Sequence, residues 1–364
     1  MAMDIKNILN SISLNGVVMG YKIEKRDSVM MWDNEKQGIK KGDKVIQYNG
    51  YITILTKDGD NQQFATVSVQ RNQQFYNGEL DFTSQALEDM ANENVDTYNK
   101  TRDITKTPTI GVYRGVKLVD NYYVKDQELH EGIKVDLGFG NIKLGEPTEE
   151  PKMENVLNVS ALITDVEAER DKDEEETGRA IVKMVIPYTY GSKDKQVIRA
   201  VNFSMVAGKY EDEEGEYDLG ADLLDYSDEV IGYSYLLIGE LNGFYMEPEA
   251  KQEESGEQRR GFGKRAKVQT QRKRGFEYLL TGLDMLADGD AFPEDEIQDA
   301  IQERQRDIAE KMKRDEEKQS QQDTTTKGRG SFGGGRTSTP SATTGDAGTA
   351  PAGRTRRDRS SFMK

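Results

Sequence analysis

The chain lacks cysteine altogether. It therefore forms no disulfide, offers no thiolate to a metal and carries no thiol nucleophile, a composition that suits a reducing compartment. Its one histidine is His130, so a histidine-based triad and a multi-histidine metal site are both excluded. No apolar run is long enough to span a membrane, and Met1 to Ser11 lacks the charged start and apolar core of a signal peptide. A soluble, cytoplasmic protein is expected. Apolar residues make up only 35% of the 364 positions, which is enough to build two modest domains but leaves a polar remainder that cannot be buried. Positive charge is also in deficit: the formal net charge of -16 argues against a uniformly basic surface. The bases are clustered, however, and local patches decide binding more than the total does.

What is present is mostly β pattern. From Val156 to Glu240 the order of elements is strand, hairpin, short helix, strand. Val156 to Val166 is the first strand. After an acidic turn, Glu167 to Thr177, the residues Ala180, Val182, Met184, Ile186 and Tyr188 alternate on one face. The turn Gly191 to Lys195 returns the chain into Val197 to Val206, where Val197, Val201, Phe203 and Met205 share a face with a single base, Arg199. A helix candidate at Ala221 to Asp225 precedes a last strand, Ile231 to Glu240. This is the order of a small Greek-key barrel of the OB type.

The first 145 residues repeat that order. Ile12 to Ile23 is a strand with Gly16 and Gly20 at positions where it can bend. Val45 to Leu55 and Gln63 to Val69 form a hairpin around Lys57-Asp-Gly-Asp60. A helix is expected over Thr83 to Glu93. Thr109 to Val119 and Ile133 to Ile142 are closing strands. The predicted fold is mainly β: two OB-like barrels, residues 1–145 and 156–248, joined by a linker over 146–155. The competing layout is a single larger β domain. A basic connector is expected over 249–276 and a helical segment over 277–318, where Pro293 and its following acids open a helix striped by Ile297, Ile301, Ile308 and Met312. A disordered tail rich in Gly, Ser, Thr and Arg is expected over 319–364.

Motifs for catalysis are weak. His130 reads as a solvated turn residue. The acidic run Asp171 to Glu176 lacks the Asp-x-Asp-x-Asp-Gly order of a calcium loop and reads as a hairpin tip. Gly261-Phe-Gly263-Lys264 lacks the spacing and the preceding strand of a phosphate loop. No catalytic residue, metal or cofactor is expected.

Binding chemistry is better supplied. Single-stranded nucleic acid is held by cations that follow its backbone and by rings on which bases stack, at about 1–3 kcal/mol per base. In the first barrel the candidates are Trp32, Lys41, Lys44, Tyr48, Tyr51, Phe64, Arg71, Tyr113, Arg114, Lys117, Tyr122 and Tyr123. In the second they are Tyr188, Lys195, Arg199, Phe203 and Tyr235. The connector adds Arg259, Arg260, Lys264, Arg265, Lys267, Arg272, Lys273 and Arg274, with no acid among them. Alternation fixes which rings share a face. It does not say whether that face is groove or core.

The run Thr109-Ile-Gly-Val-Tyr-Arg-Gly-Val-Lys-Leu-Val-Asp-Asn-Tyr-Tyr-Val-Lys-Asp126, continuing to Ile133-Lys-Val-Asp-Leu-Gly-Phe-Gly-Asn-Ile142, resembles the closing strands of bacterial and phage OB-fold single-stranded-DNA-binding proteins. The layout of two barrels, basic connector and tail is similar to such proteins of phage or plasmid type. The resemblance implies a non-enzymatic role in DNA replication or recombination, with single-stranded DNA as ligand, RNA as a competing ligand, and replication or recombination proteins as partners. It stops short of the C-terminus: family members end in an acidic tip, whereas this chain ends in Arg354 to Arg359 and Phe362-Met-Lys364. The alternative reading is a phage structural or assembly protein whose helix contacts a partner. A metal-dependent nuclease is a third, and no ligand constellation singles it out.

Overall fold

The computed structural model describes residues 8–31, 33–34, 38–59, 62–125, 127–190, 196–212, 215–245, 274–287 and 290–327. In chain order these hold β1 (Asn10–Val29), β2 (Lys44–Lys57), β3 (Gln63–Asn72), β4 (Phe75–Tyr76), β5 (Glu79–Leu80), α1 (Phe82–Ala91) and α2 (Tyr98–Thr101). Six strands follow: β6 (Thr109–Tyr113), β7 (Lys117–Asp120), β8 (Tyr123–Lys125), β9 (Glu128–His130), β10 (Ile133–Asp136) and β11 (Asn141–Gly145). The second half has β12 (Glu154–Arg170), β13 (Glu176–Tyr190), β14 (Val197–Ala207), β15 (Lys209–Asp212), β16 (Gly215–Asp218), α3 (Leu219–Asp225), α4 (Ser227–Val230), β17 (Ser234–Tyr245), β18 (Arg274–Met285) and α5 (Glu294–Lys327).

Pairing turns this list into two closed barrels. In the second, β12 pairs with β13, β13 with β14, β14 with β18 in parallel, β18 with β17, and β17 with β12. That ring of strands, with α3 between the third and fourth, is the OB topology. In the first, β1 pairs with β2, β2 with β3, and β3 with β10 in parallel, while the β6–β7 and β10–β11 arms pair with each other and β6 returns to β1. The mainly β class and the C-terminal helix are as the sequence predicts.

Local chemistry accounts for the bends. The expected strand Thr109 to Val119 breaks into β6 and β7 at Arg114 and Gly115, both at positive φ. Gly50 has φ +147°, and a Cβ there would lie 1.8 Å from the Lys22 carbonyl oxygen, so only glycine lets β1 and β2 approach at this point. The Asp81 side chain caps α1 by accepting from the Ser84 amide, and Asp218 caps α3 by accepting from Ala221.

The two barrels share one sheet. Asn10 to Asn15 of β1 pair antiparallel with Val159 to Glu154 of β12, and the Asn15 side-chain amide donates to Glu154 at 2.7 Å. The last residues of the expected linker, Glu154 and Asn155, are thus already ladder residues. One apolar core runs from Leu14, Ile52 and Val112 in the first barrel to Val159, Met184 and Leu237 in the second. A smaller cluster seats Phe292, Ile297 and Ala300 of the α5 region on Leu162, Val185 and Ala200.

Two boundaries differ from expectation. Residues 274–285, read as the end of a basic connector and the start of a helical segment, form β18 and close the second barrel. Along Phe276 to Leu283 apolar and polar residues do not alternate cleanly, so the period of two that marks a strand is missing there. The expected tail begins late. Residues 319–327 continue α5, because adding one residue to an established helix costs far less than nucleating one. Contacts divide the chain into Met1–Glu316, which holds both barrels, and Glu317–Lys364, whose described residues are the last turns of α5. Residues 328–364 lie outside the described residues.

Candidate functional site

Strand register places an outward strip on the first barrel. Lys22 of β1 lies opposite Tyr51 of β2, Tyr51 opposite Ser68 of β3, Ser68 opposite Asp136 of β10, and Asp136 opposite Lys117 of β7. Opposed residues project on one face. Lys22, Tyr51 and Lys117 are exposed. Amides flank the strip: Gln47 donates to Asn72 at 2.9 Å, and Asn49 to Gln47 at 3.1 Å.

The strip ends in a cavity of about 360 Å³ where the first barrel, the second barrel and α5 meet. Tyr122, Tyr188 and Tyr190 form its aromatic wall, and Lys117, Lys134 and Lys311 bring ammonium groups to it. Lys117 has no ion pair within 4 Å among the described residues, whereas Lys134 is 3.3 Å from Asp136 and Lys311 is 3.0 Å from Asp307.

Polar contacts set the shape of this junction. The Tyr188 hydroxyl donates to Asp120 at 2.8 Å, linking β13 to the end of β7. Arg304 of α5 forks onto Asp120 through Nε at 2.6 Å and Nη2 at 3.0 Å, and its Nη1 lies 2.9 Å from Glu131. The Tyr122 hydroxyl donates to Asp307. Arg199 Nη1 donates to the Tyr122 hydroxyl at 3.0 Å, its Nη2 lies 3.3 Å from Asp307, and its guanidinium lies 4.0 Å from the Tyr190 ring centroid. Lys311 sits 3.9 Å from the Tyr122 ring centroid.

These contacts shift protonation equilibria. Burial first, and the Asp307 carboxylate second, push the Tyr122 phenol up. Burial and then Asp120 do the same to Tyr188. Burial alone would raise Asp307, but hydrogen bonds from Tyr122 and Lys311, with the charges of Arg199 and Lys311, hold it below the ordinary carboxylate range.

The structure sorts the predicted residues into three groups. Tyr122, Tyr188, Arg199 and Lys117 converge at the junction, and Tyr51 stands on the strip that leads to it. Tyr113, Arg114 and Tyr123 lie at the rim of the first barrel, where Arg114 sits 6.0 Å over the Tyr113 ring and Tyr123 stacks on His130 at 4.8 Å. Lys41 and Lys44 are exposed near the start of β2.

The second group is buried, against expectation. Tyr48, Phe203 and Tyr235 fall on the inward side of their alternating strands and fill barrel interiors, while Phe64, on the outward side of β3 with Ser68, is buried against Val17, Met19 and Leu55. Arg71 is buried too, tied to Gly140, Gln74 and Asp81. None of these five can stack on or pair with a ligand at the surface. Trp32, Lys195, Arg259, Arg260, Lys264, Arg265, Lys267, Arg272 and Lys273 form the third group and lie outside the described residues; Arg274 begins β18, opposite Tyr245.

Sequence reasoning counted Tyr190 among the rings of the second barrel but missed Asp120, Lys134, Arg304, Asp307 and Lys311 as site residues. A signal did exist in α5, because Arg304, Asp307 and Lys311 recur at spacings that share one helix face. On the second barrel's own outer face the bases are neutralised: Lys183 pairs with Asp165 and Glu167, and Arg179 with Glu169 and Glu277. Among the described residues, no group of three His, Asp or Glu side chains is placed to hold a metal ion. No helix among them is long and apolar enough to cross a membrane.

Fold and site together define a β protein of two fused OB barrels with a cationic, tyrosine-lined cleft at their junction. The chain belongs to the YorF family, whose model matches residues 21–314. Similar solved structures include a deletion mutant of the single-stranded DNA binding protein from Thermus aquaticus, at 12% identity and a TM-score of 0.38, covering 79% of this chain and 98% of that one. The wild-type Thermus aquaticus protein is similar at 14% identity and a TM-score of 0.32, covering 65% and 86%. No match to the sequence is found among curated proteins.

Proposed function

We propose that this chain is a non-enzymatic single-stranded-DNA-binding protein, acting in phage or plasmid DNA replication or recombination. The observation that carries the reading is the register-aligned strip from Lys22 through Tyr51 to Lys117, which opens into the cavity walled by Tyr122, Tyr188 and Tyr190. Cations spaced along a path suit phosphates, and rings at its end suit unstacked bases. A duplex keeps its bases stacked and offers nothing to those rings.

Fluorescence anisotropy with labelled single-stranded and duplex DNA tests this. Micromolar or tighter binding of the single strand is expected, and its affinity should fall with added salt at a log–log slope of about -2 if three lysines neutralise phosphates. Tyr190→Ala should weaken it by roughly fivefold or more, the loss of one stacked base. Equal affinity for duplex, or affinity unchanged by salt and by that substitution, would refute the reading. An RNA oligonucleotide of matched sequence decides between the two ligands.

One observation favours the second reading, a phage structural or assembly protein. Val29, Met31, Ile46, Phe75 and Tyr76 are all exposed near the loop end of the β1–β2 hairpin, an apolar surface suited to protein contact. Oligomers that form with rising concentration and take up no nucleic acid would favour it.

A further inference from the structure

Two arginines meet at the junction, and they are held very differently. Arg304 uses Nε, Nη1 and Nη2 on two carboxylates at 2.6 to 3.0 Å. Arg199 is more deeply buried, its side chain only 6% exposed, yet it reaches Asp307 at one point, 3.3 Å away, and its Nε has no partner. A buried guanidinium with an idle donor is costly, and such groups call for an explanation. Asp307 presents a single carboxylate to two donors from the barrels, Arg199 and the Tyr122 hydroxyl. A phosphodiester also presents two free anionic oxygens, so it can meet the same pair of donors in place of the carboxylate.

How α5 is attached supports exchange. Its first turns are seated by apolar contact, with Ile297 fully buried beside Phe292 and Ala300. Beyond Arg304 it reaches the barrels through polar contacts: Asp307 to Arg199 and Tyr122, Lys311 over Tyr122, and Asp315 accepting from the Gln127 amide at 3.2 Å. Polar docking of this kind yields to a competing anion, whereas the apolar seat does not.

We infer that Arg199 and Tyr122 form a phosphate subsite occupied in the free protein by the Asp307 carboxylate, and that a bound strand takes its place by releasing α5 beyond Arg304. The inference rests on the proposed binding of single strands. It also separates the lysines. Lys117 and Lys134 stay on the barrel and hold the strand, while Lys311 leaves with the helix and opposes binding.

The test uses the full chain, a labelled oligothymidylate, and the variants Asp307→Asn and Lys311→Ala. Both variants should bind the oligonucleotide tighter than the wild type, by roughly fivefold for Asp307→Asn. In the wild type, the oligonucleotide should speed amide exchange over residues 307–316 and leave 294–303 protected. Equal or weaker binding by Asp307→Asn overturns the inference, and so does unchanged exchange over 307–316. If no form binds any oligonucleotide, the proposed function falls, and the subsite is probed alone with inorganic phosphate and Asp307→Asn. A phosphate-dependent shift of the Arg199 Nε–H resonance sustains the subsite, and its absence overturns it.

Discussion

The Asp120 carboxylate shows how much one side chain can carry. It is 1% exposed, accepts the fork of Arg304 and the Tyr188 hydroxyl, and so ties together the first barrel, the second barrel and α5. Removing its charge leaves a guanidinium that is 12% exposed with only Glu131 as counter-ion. Asp120→Asn should therefore lower unfolding free energy by about 3 kcal/mol, near the low end for breaking a buried pair, as read from the urea midpoint. A midpoint within error of the wild type would show that the junction is held by packing alone. Four tyrosines, Tyr48 buried and Tyr122, Tyr188 and Tyr278 half-buried, give a second residue-scale prediction. Burial pushes Tyr278 up to about 12 and raises Tyr48, Tyr122 and Tyr188 as well, the last three helped by Glu88, Asp307 and Asp120. A raised phenol contributes stability in full below its ordinary value, about 10, and loses it as pH rises through the folded value. Alkaline titration should show these four ionising together with the loss of far-ultraviolet ellipticity. Their ionisation while the ellipticity persists would contradict the burial.

Residue by residue, the sequence was legible as to face and silent as to direction. Tyr48 and Tyr51 stand three apart on β2, so alternation puts them on opposite faces; only the closed barrel shows Tyr48 inside and Tyr51 outside. Arg199 was the more telling case. A base sharing the face of Val201, Phe203 and Met205 must be buried with a partner, and the partner, Asp307, lies more than a hundred residues away on α5. No local pattern supplies it.

Elements carry their own lesson in β18. The strand sits between β14 and β17 and is the fifth strand of the second barrel, yet it follows a 28-residue stretch, 246–273, that reads as a boundary. Hairpin turns are usually short, so so long an insertion between β17 and β18 hid their pairing. The order strand, hairpin, helix, strand was legible because each of those connections is brief. A chain ending at Ala250 should thus fail to fold its second barrel, since it loses the partner of β17 from Tyr235 to Tyr245 and the parallel neighbour of β14. Circular dichroism and gel filtration of that fragment check this. A monodisperse fragment with native strand content would mean that β18 is dispensable.

For the whole molecule, the question is whether two barrels make two folding units. Sequence alone left open two related barrels or one larger β domain, and the structure has features of both: two OB rings of strands, and one sheet and one core running through them. The seam is a real ladder. Residues Asn10 to Asn15 pair with β12, the Leu9 carbonyl accepts from the Ser160 amide at 2.8 Å, and α5 bridges to the first barrel through Arg304 and to the second through Ile297. Opening either barrel would strip β1 or β12 of a neighbour and expose backbone groups that the interior cannot satisfy. Unfolding should accordingly be one cooperative transition, with the calorimetric and van't Hoff enthalpies equal. Asp120→Asn should lower that single transition without splitting it, because the β1–β12 ladder remains. Two resolved transitions in the wild type would show that the barrels fold independently and that the seam contributes little to either. A split appearing only in the variant would assign the coupling to the Asp120–Arg304 pair rather than to the shared sheet.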